Sequence, residues 1–426
     1  MICVFLVGGK GTRIAADYPG IAKAMIPLFG KPILQHEIEA LKTCGITEYV
    51  LVTGHCHDSI ERYFGDGSQF GVHIQYHRET VPLGTAGSLF ELGLKDDFLL
   101  CAGDLLFQIS VSGMLHYHKE KNALATVFAH PSSHPFDSTL IHTDANGTIM
   151  RYFRANSTTR SFRNLCSAGI YILSPALLDE FSSIFSGKPC DTDKDLLQAA
   201  IPTGRVFAYK SCDFVRDVGT PDRLSSIAEN REAFLRHQTS AGKHKAVFVD
   251  RDGTLNQYRG YITDANEIEL TDGAAEAVNL LHKLGYLVIL ITNQPVVARG
   301  ECTEEEVEAI NGRVEYLLGE KNAFLDDVLW CPHHPDKGYD GENEAYKIDC
   351  SCRKPKPGLI LQAAERYGID LSDSFMVGDA PSDVMCAINA GCTPVWIENE
   401  RCRVDETCVK VKSLLDFANK LKQRSL

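Results

Sequence analysis

The chain has 426 residues, of which 23% are charged and 44% apolar, and it carries a formal net charge of −13 at pH 7. This length exceeds one ordinary hydrophobic core and suits two domains. The acidic balance argues against a general binder of nucleic acid or of anionic membranes. Phosphorylated substrates stay possible, because local loops and bound metal can invert the local field.

The chain has no apolar run long enough to span a bilayer and shows no signal-peptide pattern at its N-terminus. Most of the fifteen cysteines stand singly in apolar or mixed surroundings. We expect reduced core thiols and a cytoplasmic protein; an extracellular disulfide framework is the alternative. Self-association is possible, but the sequence points to no interface.

Two short apolar runs each lead into a loop suited to phosphate chemistry. Ile2–Leu6 precedes the glycine-rich stretch 7–13, and Ala246–Val249 precedes Asp250-Arg251-Asp252-Gly253-Thr254. A buried strand followed by such a loop is the expected start of an α/β domain. The two starts therefore predict two α/β domains fused in one chain.

A polar, glycine-containing stretch separates the two halves. Residues 224–236 have a helical pattern, and residues 237–244 that follow are polar and include Gly242. Such composition is typical of a linker. We predict domains at 1–236 and 245–426, joined by the linker 237–244.

The N-terminal loop combines glycines with two basic residues, Lys10 and Arg13. Glycine lets the backbone turn its N–H groups toward an anion, and the planar fork of arginine can bridge phosphate oxygens. The spacing matches neither the dinucleotide-binding glycine motif nor a Walker loop. A tight turn without a ligand is the alternative.

Further loops, strands and charged residues follow in a recognisable order. The stretches concerned are Ala22–Leu28 with Lys23, Pro82–Ser88, the strand 98–102 leading into Gly103-Asp104, Ser167–Tyr171 and Asp217–Pro221. Together with the first loop they resemble the sugar-1-phosphate nucleotidyltransferases over about residues 1–232. The resemblance implies a nucleotide-diphospho-sugar-transferase-like, Rossmann-like domain.

In such enzymes a sugar 1-phosphate attacks the α-phosphorus of a nucleoside triphosphate, and pyrophosphate leaves; positioning and charge stabilisation suffice. The resemblance implies that Lys23 neutralises the α-phosphate and that Asp104 and Asp217 hold Mg²⁺. It places Gly169 along the sugar. The residues implied to hold the triphosphate are Gly8, Gly9, Gly11, Thr12 and Arg13. The residues implied to contact the base are Gly84, Thr85, Ala86 and Gly87.

One departure concerns the sugar pocket. Many family members carry a Glu-Lys pair before the Gly-Ile-Tyr strand, whereas this chain has arginines in that region: Arg151, Arg154, Arg160 and Arg163. An arginine could take over the role of the missing lysine toward phosphate.

In the C-terminal half, Asp250 and Asp252 stand two residues apart after a buried strand. Such a pair can share one Mg²⁺ and one phosphate, with the first carboxylate attacking phosphorus and the second acting as acid and then base. An acidic turn without chemistry is the alternative. A second strand ending in Thr292 and Asn293, the cations Arg353 and Lys354, and a third strand ending in Asp379 follow in order. This order resembles the haloacid-dehalogenase superfamily of phosphotransferases.

Two closely spaced pairs, Cys331 with His333 and Cys350 with Cys352, make a Cys₃His set. Four such ligands suit a closed tetrahedral structural Zn²⁺. The zinc would pin the loop that carries Arg353 and Lys354. Unrelated cysteines beside a surface histidine are the alternative, and the adjacent His334 is an alternative ligand.

With this zinc loop, residues 245–420 resemble the D,D-heptose 1,7-bisphosphate phosphatases, which share the loop with histidinol phosphatases. The resemblance makes Asp250 the nucleophile and Asp252 the acid and base. Thr292 and Lys354 would hold the phosphoryl group. Substrate binding falls to Asn293 and Arg353, and Mg²⁺ binding to Asp250, the carbonyl of Asp252 and Asp379. Ala380 stands where related phosphatases often have a lysine, so one substrate-phosphate contact is unassigned.

The two halves suggest consecutive reactions. A heptose bisphosphate phosphatase leaves a heptose 1-phosphate, which a nucleotidyltransferase of the first kind can use. We expect a bifunctional enzyme that makes GDP-heptose from GTP, with Mg²⁺ at both sites. The alternatives are a histidinol-phosphate-type phosphatase joined to a hexose-1-phosphate nucleotidyltransferase of other base specificity, or one catalytic and one non-catalytic domain.

Overall fold

A computed structural model describes residues 1–9, 17–54, 56–229, 244–338, 340–404 and 407–423. The chain divides into two compact units. The first comprises Met1–His130, Thr139–Phe153 and Ser167–Thr239, and the second comprises Pro131–Ser138, Arg154–Cys166 and Ser240–Leu426. Both units are layered α/β structures, which confirms the predicted fold class.

The first unit is built on a mixed sheet. The strands of the unit are β1 (Ile2–Leu6), β2 (Pro27–Leu28), β3 (Lys31–Pro32), β4 (Glu48–Thr53), β5 (His73–Arg78), β6 (Phe98–Ala102), β7 (Leu105–Gln108), β8 (Ala125–His130), β9 (Leu140–Thr143), β10 (Ile149–Phe153), β11 (Cys166–Leu173), β12 (Val206–Lys210) and β13 (Phe214–Asp217). Nine of them form the mixed sheet, while β2 with β3 and β7 with β13 form two separate two-stranded sheets. The main path runs β10-β9-β11-β6-β1-β4-β5, while β8 joins β11 to β12. β1 pairs in parallel with β4 and β6, so its loop opens at the edge where the carboxyl ends of these strands meet.

Helices cover this sheet. They are α1 (Ile33–Thr43), α2 (His57–Phe64), α3 (Val111–Glu120), α4 (Pro175–Phe185), α5 (Gln198–Ala200) and α6 (Pro221–Glu229). In α1, Leu34, Ile38 and Leu41 recur at helical spacing and are buried against the sheet. The helix predicted over 224–236 is helical as far as Glu229, and its remainder lies outside the described residues.

The second unit contains a wholly parallel sheet. Its strands are β14 (Ala246–Val249), β15 (Leu287–Asn293), β16 (Asp327–Cys331), β17 (Phe375–Gly378), β18 (Thr393–Ile397) and β19 (Val409–Val411), and their order is β16-β15-β14-β17-β18-β19. Its helices are α7 (Ala274–Lys283), α8 (Glu304–Gly319), α9 (Gly358–Tyr367), α10 (Pro381–Ala390) and α11 (Leu414–Lys422). The strands are apolar runs because both faces of a parallel sheet are covered.

Two segments that precede the predicted boundary belong to the second unit. Residues 131–138 and 154–166 pack against α8, where Phe136 and Phe162 contact Tyr316 edge-to-face at 5.3 and 5.7 Å between ring centroids. Gly312 permits this approach, since a Cβ there would lie 2.7 Å from Ser161 Oγ. The boundaries drawn from sequence stay a prediction. Of the predicted linker 237–244, residues 237–243 lie outside the described residues.

None of the fifteen cysteines, all of which are described, is in a disulfide bond. Among the described helices, none combines the length and apolar character that crossing a bilayer requires.

Candidate active sites

Asp250 comes directly after β14, an interior strand of the second sheet. β14 lies between β15 and β17, and its four residues are fully buried. The Asp250 N–H donates to the carbonyl of Val377 at 2.9 Å. The carboxylate therefore stands at the carboxyl ends of parallel strands, which is the edge where open α/β sheets bind their ligands.

Lys354 reaches Asp250 from the segment before α9. Its Nζ lies 2.5 Å from Asp250 Oδ1 and 2.6 Å from Asp383 Oδ1, and it donates to the Ile291 carbonyl at 2.9 Å. Burial by itself would lower the pKa of Lys354, but Asp250 and Asp383 outweigh burial and raise this pKa above its ordinary value. The ammonium is therefore held as a cation beside the proposed nucleophile.

Asp252 is held by three neighbouring donors. The guanidinium of Arg251 is fully buried and lies 2.9 Å from Asp252 Oδ2. Gln294 Nε2 donates to Asp252 Oδ2 at 2.9 Å, and Asn256 Nδ2 donates to Oδ1 at 3.1 Å. Gln294 also donates to Thr292 Oγ1 at 2.9 Å, which links the proposed acid to the proposed phosphate-binding threonine. Neither Arg251 nor Gln294 was predicted as a site residue in the sequence analysis.

The side chain of Asn293 makes two hydrogen bonds with the backbone of Lys354. Its Oδ1 accepts from the Lys354 N–H at 3.0 Å, and its Nδ2 donates to the Lys354 carbonyl at 3.1 Å. This pair of bonds positions the lysine. Arg353 donates from Nη1 to the His333 carbonyl at 3.1 Å, and so ties the cationic segment to the cysteine-rich loop. The predicted substrate contacts of Asn293 and Arg353 stay predictions.

Three buried carboxylates meet at this edge of the sheet. One oxygen each from Asp250, Asp379 and Asp383 lies within 4.8 Å of the others. Burial raises the pKa of Asp250 and of Asp379 to about 6. The largest opposing influence is Lys354 for Asp250 and Arg401 for Asp379. Buried carboxylates of this kind suit Mg²⁺, a hard cation that prefers oxygen ligands. Asp383 was missed in the sequence analysis, although it stands four residues after Asp379.

The four predicted zinc ligands also meet. Cys331 Sγ lies 3.5 Å from Cys350 Sγ and 3.2 Å from Cys352 Sγ, and His333 Nδ1 lies 3.4 Å from Cys352 Sγ. A tetrahedron with Zn–S bonds of about 2.3 Å has edges of about 3.8 Å, so the four ligand atoms are close enough together to enclose one zinc ion. Hydrogen bonds from Cys331 foremost, and from Cys350 and His333, lower the pKa of Cys352 to about 5. His334 is not in this group; its Nδ1 accepts from the Asp336 N–H at 3.2 Å.

In the first unit, three predicted residues converge. Lys23 Nζ forms an ion pair with Asp104 Oδ2. β7 and β13 are antiparallel neighbours with Asp217 opposite Leu105, which brings Asp217 next to Asp104. A Cβ on Gly219 would lie 2.6 Å from both Asp217 Oδ1 and Lys23 Nζ. The lysine and the two carboxylates therefore line one site, whose donor set suits a triphosphate with Mg²⁺.

Asp217 has a partner that sequence reasoning did not consider. Arg223 Nη1 lies 2.6 Å from Asp217 Oδ2, and the Gly219 N–H donates to Asp217 Oδ1. The glycine-rich loop is described only at its start. Gly8 packs closely on Gly54, whose N atom would lie 3.1 Å from a Cβ on Gly8, while nothing lies within 4 Å of one on Gly9. Three residues predicted to hold the triphosphate lie outside the described residues: Gly11, Thr12 and Arg13.

The loop 84–87 has a structural reason for its small residues. Gly84 has φ +79°, and a Cβ there would lie 2.5 Å from the Cys190 carbonyl oxygen; one on Gly87 would lie 2.7 Å from that of Lys188. Thr85 Oγ1 accepts from the Thr192 N–H at 2.7 Å. Ala86 is buried and donates its N–H to the Cys190 carbonyl. Packing on the segment 188–192 explains these residues, and the base contact stays a prediction.

Gly169 lies in β11 with φ +76°, a conformation that favours glycine. Nearby, the Tyr171 hydroxyl donates to Asp193 Oδ1 at 3.0 Å. Burial raises the pKa of Asp193 to about 6. The sequence analysis did not single out Asp193.

The arginines considered for the sugar pocket are used differently. Arg154, Arg160 and Arg163 all belong to the second unit. Arg163 lies 2.6 Å from Glu308 and 2.6 Å from Glu315, both on α8. Arg160 donates to the carbonyls of Ser157 and Thr159. The charge of Arg163 is therefore committed to two glutamates, and the expectation that an arginine of this region takes the phosphate role stays a prediction.

The folds and sites define a two-domain α/β enzyme of phosphate chemistry. The chain matches the nucleotidyl transferase family over residues 2–233 and the haloacid dehalogenase-like hydrolase family over residues 136–391. Each match covers more than half of the chain, so the chain belongs to both families, with a nucleotidyltransferase half followed by a phosphatase half.

Individual relatives add detail. The chain is 41% identical over 146 residues to the D-glycero-β-D-manno-heptose-1,7-bisphosphate 7-phosphatase of Pasteurella multocida, covering 34% of this chain and 77% of the relative. The D,D-heptose 1,7-bisphosphate phosphatase of B. bronchiseptica, crystallised with magnesium and phosphate, is 29% identical. The match covers 42% of this chain and 99% of that one, with a TM-score of 0.38. HddC of Yersinia pseudotuberculosis complexed with GMP-PN is 20% identical. The match covers 54% of this chain and 99% of that one, with a TM-score of 0.45.

Proposed function

We propose that the chain carries out two consecutive steps of sugar-nucleotide synthesis. The phosphatase half removes the 7-phosphate of D-glycero-D-manno-heptose 1,7-bisphosphate, and the nucleotidyltransferase half then joins GMP from GTP to the heptose 1-phosphate. The observation that carries this proposal is the fusion itself: a half that is 41% identical to a heptose bisphosphate phosphatase follows a nucleotidyltransferase half. The product of one is a suitable substrate for the other.

In the first step, a carboxylate oxygen of Asp250 attacks the phosphorus of the 7-phosphate, and the bond from phosphorus to the sugar oxygen breaks. Asp252 gives its proton to that oxygen as it leaves. Lys354 and Thr292 hold the equatorial oxygens of the phosphoryl group. This geometry depends on Lys354 being fixed 2.5 Å from Asp250.

In the second half of the hydrolysis, Asp252 takes a proton from water, the hydroxide attacks the aspartyl-phosphate, and Asp250 is regenerated with release of phosphate. Mg²⁺ held by Asp250, the Asp252 carbonyl and Asp379 would offset the negative charge of the phosphoryl group. Asp383 lies in the same cluster and holds Lys354 from the other side at 2.6 Å.

In the nucleotidyl transfer, an oxygen of heptose 1-phosphate attacks the α-phosphorus of GTP, and pyrophosphate leaves. Lys23 offsets the charge that develops on the α-phosphate, and Arg13 with the loop amides holds the triphosphate. Asp104 and Asp217 would hold Mg²⁺, which would offset the negative charge of the phosphates. A reaction that consumes nucleoside triphosphate fits a cytoplasmic protein.

The test is ³¹P NMR on the purified full-length chain with Mg²⁺. Heptose 1,7-bisphosphate is supplied as the α and the β anomer in separate reactions, each with one of the four nucleoside triphosphates. We expect inorganic phosphate first, then pyrophosphate and a sugar-diphosphate signal with GTP.

The other outcomes point to different substrates. Phosphate release without nucleotidyl transfer would keep the phosphatase assignment and reject heptose 1-phosphate or GTP for the first half. Release from histidinol phosphate but not from either heptose bisphosphate would overturn the proposal in favour of the histidinol-type alternative. A first half that binds nucleotide without forming pyrophosphate with any sugar 1-phosphate would make it a non-catalytic module.

A further inference from the structure

The mouth of the phosphatase site contains a cation that the motifs did not reveal. Arg401 follows β18, and its Nη2 forms an ion pair with Asp379 Oδ2. A Cβ added to Gly253, in the loop of the nucleophile, would lie 2.9 Å from the same Nη2. The guanidinium therefore stands directly beside the loop that carries Asp250 and Asp252.

An aromatic ring supports this arginine. The guanidinium carbon of Arg401 lies 3.6 Å from the ring centroid of Tyr258, a residue that is itself 53% exposed. Stacking of a guanidinium on an aromatic face fixes its plane without consuming its N–H donors. Arg401 is thus held in place at the surface of the site, with its fork available to an oxyanion.

The two cations beside this cluster of carboxylates differ in exposure. The Lys354 side chain is 3% exposed and already contacts Asp250, Asp383 and a backbone carbonyl. The Arg401 side chain is 39% exposed, and within the described residues its guanidinium makes one hydrogen bond, to Asp379. The buried lysine suits the phosphoryl group that is transferred. The exposed arginine suits an anionic group that projects out of the pocket.

We propose that Arg401, held by Tyr258, binds the phosphate of the bisphosphate substrate that is not hydrolysed. This inference rests on the proposed function, because only a bisphosphate presents a second phosphate. Ala380 has no charge to offer at the position where related phosphatases often carry a lysine. A planar guanidinium can hold phosphate oxygens with two parallel hydrogen bonds, which gives both affinity and orientation. Arg401 would therefore set the preference for a bisphosphate over a monophosphate.

The experiment compares kcat/KM for heptose 1,7-bisphosphate and for heptose 7-phosphate, the same sugar without the second phosphate, at saturating Mg²⁺. The variants are Arg401→Ala, Arg401→Lys, Tyr258→Leu and the matched control Arg403→Ala, which removes an exposed arginine two residues away. We expect Arg401→Ala to reduce the ratio of the two kcat/KM values by about ten- to a hundredfold, the range for hydrogen bonds to charged groups. Arg401→Lys and Tyr258→Leu should each reduce this ratio less than Arg401→Ala does. Arg403→Ala should leave the ratio at its wild-type value.

Damage to folding or to Mg²⁺ binding lowers both kcat/KM values together and leaves their ratio unchanged, so the ratio separates substrate binding from a structural role. An unchanged ratio in Arg401→Ala would overturn the inference, as would a wild type that shows no preference for the bisphosphate. A wild type that hydrolyses neither sugar would instead overturn the proposed function. The Mg²⁺ concentration for half-maximal rate, measured for each variant, verifies saturation.

Discussion

Lys354 Nζ lies 2.5 Å from Oδ1 of Asp250, and the two residues are 104 positions apart in the chain. The contact places a permanent cation against the carboxylate that attacks phosphorus in the proposed mechanism. Burial raises the pKa of Asp250 to about 6, while Lys354 is the largest influence in the opposite direction. The lysine therefore favours the ionised nucleophile at neutral pH.

Replacing Asp250 by Asn is expected to abolish phosphate release, by at least about a thousandfold, since an amide cannot form the phosphoryl intermediate. Nucleotidyl transfer from supplied heptose 1-phosphate should persist at the wild-type rate, because its residues belong to the other unit. Parallel assays of phosphate and pyrophosphate on one preparation test this. Loss of both activities with the fold intact would contradict the assignment of separate sites.

The proposed zinc site of Cys331, His333, Cys350 and Cys352 is expected to stabilise the second unit. Cys350→Ser should lose one equivalent of bound zinc by elemental analysis and lower the free energy of unfolding by about 4 kcal/mol, the value for a ligand present at a thousandfold its Kd. Both tryptophans, Trp330 and Trp396, lie in this unit, so their fluorescence follows its unfolding. Cys44→Ser, an exposed cysteine of the first unit, is the control. Full zinc content in Cys350→Ser would reject the site.

The ion pairs of Arg163 are expected to anchor residues 154–166 on α8. Glu315 is 4% exposed, so Arg163→Met removes the guanidinium that pairs with a buried carboxylate and should cost about 3–5 kcal/mol. Urea unfolding followed by tryptophan fluorescence measures the change, since Trp330 Nε1 donates to Glu308 at 2.7 Å. Arg259→Met, which breaks an exposed pair with Glu269, should cost no more than about 1 kcal/mol. Equal effects of the two variants would show that the Arg163 pairs add nothing.

Glu37 on α1 predicts a pH-dependent stability of the first unit. Its side chain is fully buried; Oε1 accepts from the Leu105 N–H at 3.0 Å, and Oε2 has no hydrogen-bond partner among the described residues. Burial raises the pKa of Glu37 well above its ordinary value. The folded state then keeps a proton that the unfolded chain loses above pH of about 4.3, so stability falls as pH rises from there toward the folded pKa.

Glu37→Gln removes this titration. Its free energy of unfolding should therefore rise relative to that of the wild type by up to about 1.4 kcal/mol per pH unit between pH of about 4.3 and the folded pKa. Calorimetry at pH 5 and pH 8, with amide exchange of α1 to assign the transition, measures the gain. Glu39 on the same helix is the control. Burial by itself would raise the pKa of Glu39, but hydrogen bonds from Lys31 and Gln35 outweigh burial and lower this pKa. Glu39→Gln should therefore be slightly destabilising at pH 8, and a gain like that of Glu37→Gln would refute the argument.

Much of the architecture was predictable because the signals are local. β1 and β14 have the predicted bounds. The strand predicted to end in Asp379 is β17 at 375–378, which stops one residue before that aspartate. An apolar run that ends in glycine or aspartate predicts a buried strand followed by a loop, because both features depend on residues that are close together in the sequence.

The sequence by itself determined which residue types stand at the strand ends, and hence the two-domain α/β class, the aspartate pair after β14 and the cysteine–histidine spacing of the zinc loop. Only the tertiary structure decided which charges meet. Asp383 joins Asp250 because α10 begins at the carboxyl end of β17, and Arg163 reaches Glu315 because a segment from the first half of the chain packs on α8. Arg401 meets Asp379 because Arg401 follows β18, and β18 lies beside β17 in the sheet. Coulomb attraction between side chains depends on distance in space, which a motif spaced along the chain does not contain.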